Sequence, residues 1–265
     1  AQWCINYTIK NIQKIEAEYP SDYTRIMNKV KLSESELKEW KAVADAMYFP
    51  YSKEHNVYLQ QDGFLDKQLI TVADLDTSQR PINQKWSWDR ILRSPYIKQA
   101  DTLQGLYFFE DQFTTDELER HFDFYEPFTV HESSLSPCVH SIQAAKLDRM
   151  EQAYAFYLRT SRLDLDDYNH EVHEGLHITS MAGTWMSIVE GFGGMRVANN
   201  RLAFTPKIPK QWDGYSFKIN FRNYILKINV TQNGTTFELI EGEKLEILVN
   251  NKPVLILKKK EQALK

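Results

Sequence analysis

The residues in this 265-residue chain best suited to chemistry sit at the approaches to two helices rather than in a motif of fixed spelling. His131-Glu132-Ser133-Ser134-Leu135-Ser136-Pro137 places two serine hydroxyls and exposed backbone N–H groups ahead of a helix whose start is marked by Ser136 as N-cap and Pro137 at the first helical position. A helix N-terminus offers unpaired N–H donors and partial positive charge, so such an approach can hold a phosphate. Small hydroxyl residues at this place also serve simply as caps. The second approach has a similar makeup, with His170, His173, Glu174, Gly175, Leu176 and His177 leading into a helix that carries Thr179 and Ser180. Brought together by the fold, the two would form an anion pocket.

Two further groups suit a hydroxyl-rich ligand. Lys98 and Gln99 follow Pro95 at what reads as a helix start and supply several donors; a solvated first turn is the plain alternative. Glu126, between Tyr125 and Pro127 at a helix end, can accept from sugar hydroxyls or serve as an ordinary surface or capping carboxylate. Other chemistries find less support. His170, His173 and His177, with Asp164, Asp166 and Asp167 upstream, match no HExxH spacing and straddle a loop and a helix start, so no metal site is expected. Gly191-Phe192-Gly193-Gly194 follows a helix instead of a strand and reads as a helix stop, not a dinucleotide fingerprint. No GxSxG elbow is present for a serine hydrolase.

The elements that position these groups follow from periodicity and punctuation. A loose helical pattern covers Ala1 to Glu18, ended by Pro20; Ser33 with Glu36 opens a helix that runs toward Pro50. Residues 51–95 read as long polar and aromatic loops. Helices follow over Ile97–Phe109, Thr114–Tyr125 with a capping box at Thr114 and Glu117, from Ser136, over Arg149–Leu158, and from His177 to Gly191. Helices in succession with no strands between them exclude a βαβ sheet. Beyond Gly194, alternating segments flank Asn233-Gly234 and Asn250-Asn251 as hairpins. The expected fold is mainly α over residues 1–200, followed by a small antiparallel β-sheet domain over 201–265.

Composition narrows the partners. A net charge of -4 without a long basic block gives no electrostatic footprint for nucleic acid or an anionic membrane, and Lys258 to Lys260 read as a solvated tail. No apolar run approaches the roughly 20 residues of a membrane span. Cys4 and Cys138 are too few for a zinc site and too far apart for a thiol redox motif, which points to reduced thiols and a cytoplasmic protein. The chain opens without an initiator Met or a helix cap, as a helix already under way.

Six segments together are similar to one family. Lys98-Gln-Ala-Asp101, Phe124-Tyr-Glu-Pro127, His131 to His140, Asp164-Leu-Asp-Asp-Tyr168, Glu174-Gly-Leu-His-Ile178 and Gly194-Met-Arg-Val197 resemble, in order and spacing, the C-terminal part of glycoside hydrolase family 65, on the side of its maltose enzymes. The resemblance implies part of an (α/α)6 barrel followed by the β-sheet domain. It also implies inverting phosphorolysis of an α-glucosidic bond, with maltose and inorganic phosphate giving β-glucose 1-phosphate and glucose and no cofactor. One carboxylic acid suffices there, because phosphate replaces the base-activated water of an inverting hydrolase. By the same resemblance Ser133, Ser134 and His177 hold phosphate, and Lys98, Gln99 and Glu126 grip the sugar. The general-acid glutamate is expected upstream of Ala1, which would leave these residues inactive alone, and the intact protein is expected to be a homodimer. A related hydrolase of the acid-trehalase kind and a non-catalytic carbohydrate-binding module are the alternatives.

Overall fold

In the computed structural model, which describes residues 1–168, 170–198 and 200–258, the chain forms two compact units that divide between Pro50 and Tyr51. The first unit holds three helices, α1 (Gln2–Glu18), α2 (Pro20–Val30) and α3 (Glu34–Asp45). Pro20 ends α1, as expected, and also starts α2: its missing N–H costs nothing in the first turn, where N–H groups have no helical partner. Ser33 caps α3 by accepting from the Glu36 N–H at 3.2 Å, and the helix stops at Asp45, short of Pro50. Ala44 is the only buried residue of this unit, while Trp3 and Tyr7 stack on one another half exposed.

The second unit begins with a short hairpin, β1 (Tyr51–Ser52) and β2 (Val57–Tyr58), and three 3-10 turns. Two short helices follow, α4 (Ile82–Lys85) and α5 (Trp88–Arg93). This stretch is therefore more structured than its composition suggests, and Ile82 ties it to Tyr96 and Val130 in a small apolar cluster. The helical body comprises α6 (Asp101–Phe108), α7 (Thr115–Tyr125), α8 (Ser136–Lys146), α9 (Met150–Ser161), α10 (Leu163–Asp166) and α11 (Ile178–Met186). The Thr114–Glu117 capping box of α7 is complete.

Helix α8 is the centre, buried from Ser136 through Ala145, with α6, α9 and α11 packed on it. The close approach of α11 requires a glycine. A Cβ on Gly183 would lie 2.7 Å from Cys138 Cβ and 3.2 Å from Thr160 Cγ2. Four residues earlier on each side, Ser134 Oγ meets Thr179 Oγ1 at 3.3 Å. The matching four-residue steps mean that α8 and α11 run side by side in the same direction, so their N-termini emerge together. Beyond Met186 the helix widens into a π-helical segment, Ser187–Phe192, instead of running regularly to the glycine stop.

Among the described residues seven strands complete the unit: β3 (Arg196–Ala198), β4 (Arg201–Phe204), β5 (Gly214–Phe221), β6 (Tyr224–Thr231), β7 (Gly234–Glu241), β8 (Lys244–Val249) and β9 (Lys252–Leu257). Both expected hairpins form, β6–β7 and β8–β9, the latter through Asn250 and Asn251 at φ 49° and 63°, as a type I′ turn requires. Strands β5, β6 and β7 make one antiparallel sheet; β3, β4, β8 and β9 make the other, in which β4 and β8 are parallel. Leu202, Phe204, Leu226, Ile228, Leu239 and Ile247 form the core between them. Arg196 anchors β3 to the helical body through Glu110, at 2.6 and 3.0 Å. Burial would raise the Glu110 carboxyl, but the Arg196 guanidinium and Lys146 outweigh it and hold it below the usual range. No helix among the described residues is long and apolar enough to cross a membrane. Apart from Lys258, the tail expected at Lys258–Lys260 lies outside the described residues.

Candidate functional site

The turn that carries Ser133 and Ser134 is fixed from several sides. His131 adopts a left-handed conformation, φ 53°, and its Nδ1 pairs with Ser136 Oγ at 2.9 Å. Its carbonyl accepts from Arg159 Nη2 at 2.8 Å. Glu132, 4% exposed, turns inward and accepts from Arg80 Nε at 3.2 Å and from the Ile82 N–H at 2.7 Å. Ser136 is thus the first residue of α8 and not its N-cap; its hydroxyl is spent on His131 instead of the helix backbone. Burial holds both His131 and His140 neutral, His140 down to about 4, so the turn rests on uncharged rings.

From this base the two serines reach in different directions. Ser133 Oγ donates to Gln99 Oε1 at 3.1 Å and accepts from the Leu135 N–H at 3.3 Å. Ser134 Oγ meets Thr179 in the first turn of α11. The structure therefore brings the two helix approaches together and adds Gln99 to them. Ser180, paired with Thr179 by the sequence reading, does not take part: it is buried and its hydroxyl donates to the Thr160 carbonyl at 2.7 Å.

His177 caps α11 by position, and its side chain is held by acid groups. Its Nδ1 lies 2.6 Å from Asp164 Oδ1, its backbone N–H donates to Asp164 Oδ2 at 2.9 Å, and its Nε2 lies 3.8 Å from Glu171 Oε2. The His177 backbone N–H, with its ring, holds the Asp164 carboxyl below the usual range. Spacing alone offered no sign of either role, since Asp164 is thirteen residues away on α10. His170 is exposed and approaches Asp167 at 3.8 Å. Among the described residues no three of His, Cys, Asp and Glu gather as metal ligands.

Lys98, Gln99 and Glu126 lie on neighbouring segments. Ile97 pairs with Thr129 in a parallel bridge, its N–H donating to the Phe128 carbonyl and its carbonyl accepting from the Val130 N–H, both at 2.9 Å. That extended pairing delays the helix, so Lys98 and Gln99 precede α6 instead of starting it. Lys98 is exposed and Gln99 half-buried. Glu126 sits at the end of α7, with its carboxyl raised by burial and by Asp123. No hydrogen bond joins Glu126 to Lys98 or Gln99 among the described residues. Chemically, the site offers an amide, three hydroxyls and an imidazole around a helix N-terminus, a set of donors suited to an oxyanion beside a hydroxylated ligand.

Comparison with known proteins places the chain among relatives. The family model for the glycosyl hydrolase family 65 central catalytic domain matches residues 1–186, and that for the family 65 C-terminal domain matches 195–256. The chain is 50% identical to a maltose phosphorylase of Bacillus subtilis, over 97% of this chain and 33% of that protein. It is 40% identical to an alpha,alpha-trehalose phosphorylase of Thermoanaerobacter brockii, over 97% of this chain and 33% of that one. A solved structure described as a putative kojibiose phosphorylase from human microbiome superposes with a TM-score of 0.88 at 36% identity, covering 98% of this chain and 36% of that chain. The chain thus spans about a third of the length of the curated relatives it matches.

Proposed function

Because this chain belongs to glycosyl hydrolase family 65, we propose that it is the phosphate-binding and part of the sugar-binding portion of an inverting disaccharide phosphorylase, with maltose as the disaccharide. In this reading residues 1–200 are part of an (α/α)6 barrel and 201–265 a β-sheet domain. A phosphate oxygen attacks the anomeric carbon, the glycosidic C–O bond breaks on the opposite face, and the leaving oxygen takes a proton from a carboxylic acid outside these residues. The products are β-glucose 1-phosphate and glucose. Ser133, Ser134 and His177 hold the phosphate; Lys98, Gln99 and Glu126 hold the glucosyl unit. The reaction uses no cofactor, and the intact protein works as a cytoplasmic homodimer.

One observation carries the reading. Ser133 touches Gln99 while Ser134 touches the first turn of α11, so a single turn joins the sugar-side donor to the anion-side helix. A phosphate there lies beside the sugar it must attack.

The test is phosphate titration of the chain followed by NMR. Signals of Ser133, Ser134 and His177 are expected to move together, and Ser133→Ala or His177→Ala to weaken binding about tenfold, as loss of one hydrogen bond to a charged group implies. Phosphate shifts that avoid these residues would overturn the assignment and favour the hydrolase alternative. Mixed with maltose and phosphate, the chain alone is expected to release no β-glucose 1-phosphate.

A further inference from the structure

Two carboxylates bracket the ring of His177, and they come from the same connection. Helix α10 supplies Asp164 and ends at Asp167 in a left-handed conformation, φ 45°. Asp167 Oδ1 then accepts from the N–H groups of Glu171 and Val172, at 3.0 and 3.2 Å, which fixes the loop that carries Glu171. Gly175, at φ 113°, returns the chain to His177 through a conformation that a side chain would strain. The side chains of Asp164, Glu171 and His177 are only 17%, 16% and 21% exposed, so water competes weakly for their contacts.

The hydrogen positions follow from chemistry. An ionised carboxylate only accepts, and Asp164 is held in that state by the groups it grips. Both protons in its two contacts must then come from His177, one from the backbone N–H and one from Nδ1. Nδ1 is thereby committed, and Nε2 is the ring nitrogen left for a ligand. In this structure Nε2 faces the Glu171 carboxylate at 3.8 Å, too far for a direct hydrogen bond.

We propose that Asp164 is a positioning residue for His177: its two oxygens hold the Nδ1 and backbone protons, so that a bound anion is met by a second ring proton on Nε2, while Glu171 occupies the neighbourhood of Nε2 until an anion displaces it. The proposal rests on the phosphate-pocket reading for the identity of the anion, but not for the grip on the ring. Asp164 favours phosphate by presenting the imidazole; Glu171 opposes it by standing where the negative charge must come. The two carboxylates therefore act with opposite sign on the same ligand.

The experiment uses the chain itself, inorganic phosphate and three variants. Long-range 15N–1H correlation of the imidazole reads which nitrogen of His177 carries the proton, with no ligand needed. In the parent chain the proton is expected on Nδ1. In Asp164→Asn the side-chain oxygen keeps the backbone N–H and the amide nitrogen now donates to Nδ1, so the neutral ring is expected to carry its proton on Nε2. Phosphate binding is expected to weaken about tenfold in Asp164→Asn and Asp164→Ala, because the ring then meets the anion as a neutral Nε2–H donor, without the carboxylate that balances its second proton. Glu171→Gln is expected to tighten it. An unchanged proton position with unchanged affinity in Asp164→Asn would overturn the proposal, as would weaker binding in Glu171→Gln. Should the parent chain bind no phosphate at Ser133, Ser134 and His177, the pocket reading fails, and the proton position still decides the role of Asp164. Should both Asp164 variants fail to fold, the sign in Glu171→Gln decides.

Discussion

The inward turn of Glu132 supports a quantitative prediction about the serine turn beside it. Glu132→Ala removes the acceptor of the Ile82 N–H, a group in a residue only 2% exposed, and the carboxylate partner of Arg80. An orphaned buried N–H costs about 1–3 kcal/mol. Breaking a fully buried ion pair costs about 3–5 kcal/mol, but Arg80 is 30% exposed and keeps its bond to the Val130 carbonyl, so the pair contributes nearer ~1 kcal/mol here. The expected loss is about 3 kcal/mol for Glu132→Ala. Glu132→Gln retains an acceptor for Ile82 and is expected to lose about 1 kcal/mol.

Urea unfolding followed through Trp86 fluorescence reads the free energies, because Trp86 packs against the cluster of Ile82, Tyr96 and Val130. Amide exchange at Ile82 reads the local cause. Protection there is expected to vanish in Glu132→Ala and to persist in Glu132→Gln. Equal losses in the two variants, or an Ile82 amide that stays protected in the alanine variant, would refute the claim that Glu132 holds this segment through that bond.

Two other perturbations test the packing and the buried histidines. Gly194→Ala places a Cβ 2.5 Å from the Thr205 carbonyl at φ 57° and is expected to cost about 2 kcal/mol or more in urea unfolding, whereas Gly105→Ala, with nothing within 4 Å in α6, is expected to stabilise by about 0.5–1 kcal/mol. His140, neutral in the fold with its pKa pulled by burial from 6.5 to about 4, leaves the unfolded chain binding the extra proton between those values. Stability is therefore full above the upper value and lost as the pH falls toward the lower; His140→Phe is expected to flatten that slope in urea midpoints, and an unchanged slope would reject the assignment.

How far the fold was legible depended on whether its determinants are local. The α7 capping box and the Asn250–Asn251 turn depend on neighbouring residues, and both form where their spelling places them. Local signals mislead where a distant partner decides. Lys98 and Gln99 read as a helix start because Pro95 precedes them, yet Ile97 is drawn into extended pairing with Thr129, thirty-two positions away, and the helix waits until Asp101. Ser136 reads as a cap from its place before Pro137, but His131 takes its hydroxyl. Pro20 reads as a stop by its place after the first helical pattern, and the same missing N–H suits it to begin α2. At the site, hydroxyl and histidine content exposed the two approaches, while nothing local distinguished Thr179 from Ser180. Adjacent helical positions differ by about 100° in direction, so one faces Ser134 and the other the Thr160 carbonyl.

The convergence of those approaches is itself a packing result, and this links the core to the chemistry. Helix N-termini repel as partial positive charges, and two parallel helices gain no favourable dipole pairing from lying side by side. Helices α8 and α11 are held parallel instead by apolar burial and by the absence of a side chain at Gly183, where Cys138 fills the space a Cβ would need. Any side chain at 183 would push α11 outward by several tenths of an ångström at least. The Ser134–Thr179 contact, already 3.3 Å, lies one helical turn away on the same pair of faces and would open with it. The positive ends of the two helices thus meet at the Ser134–Thr179 contact, and Asp164, which accepts from the His177 N–H, already sets one carboxylate against them.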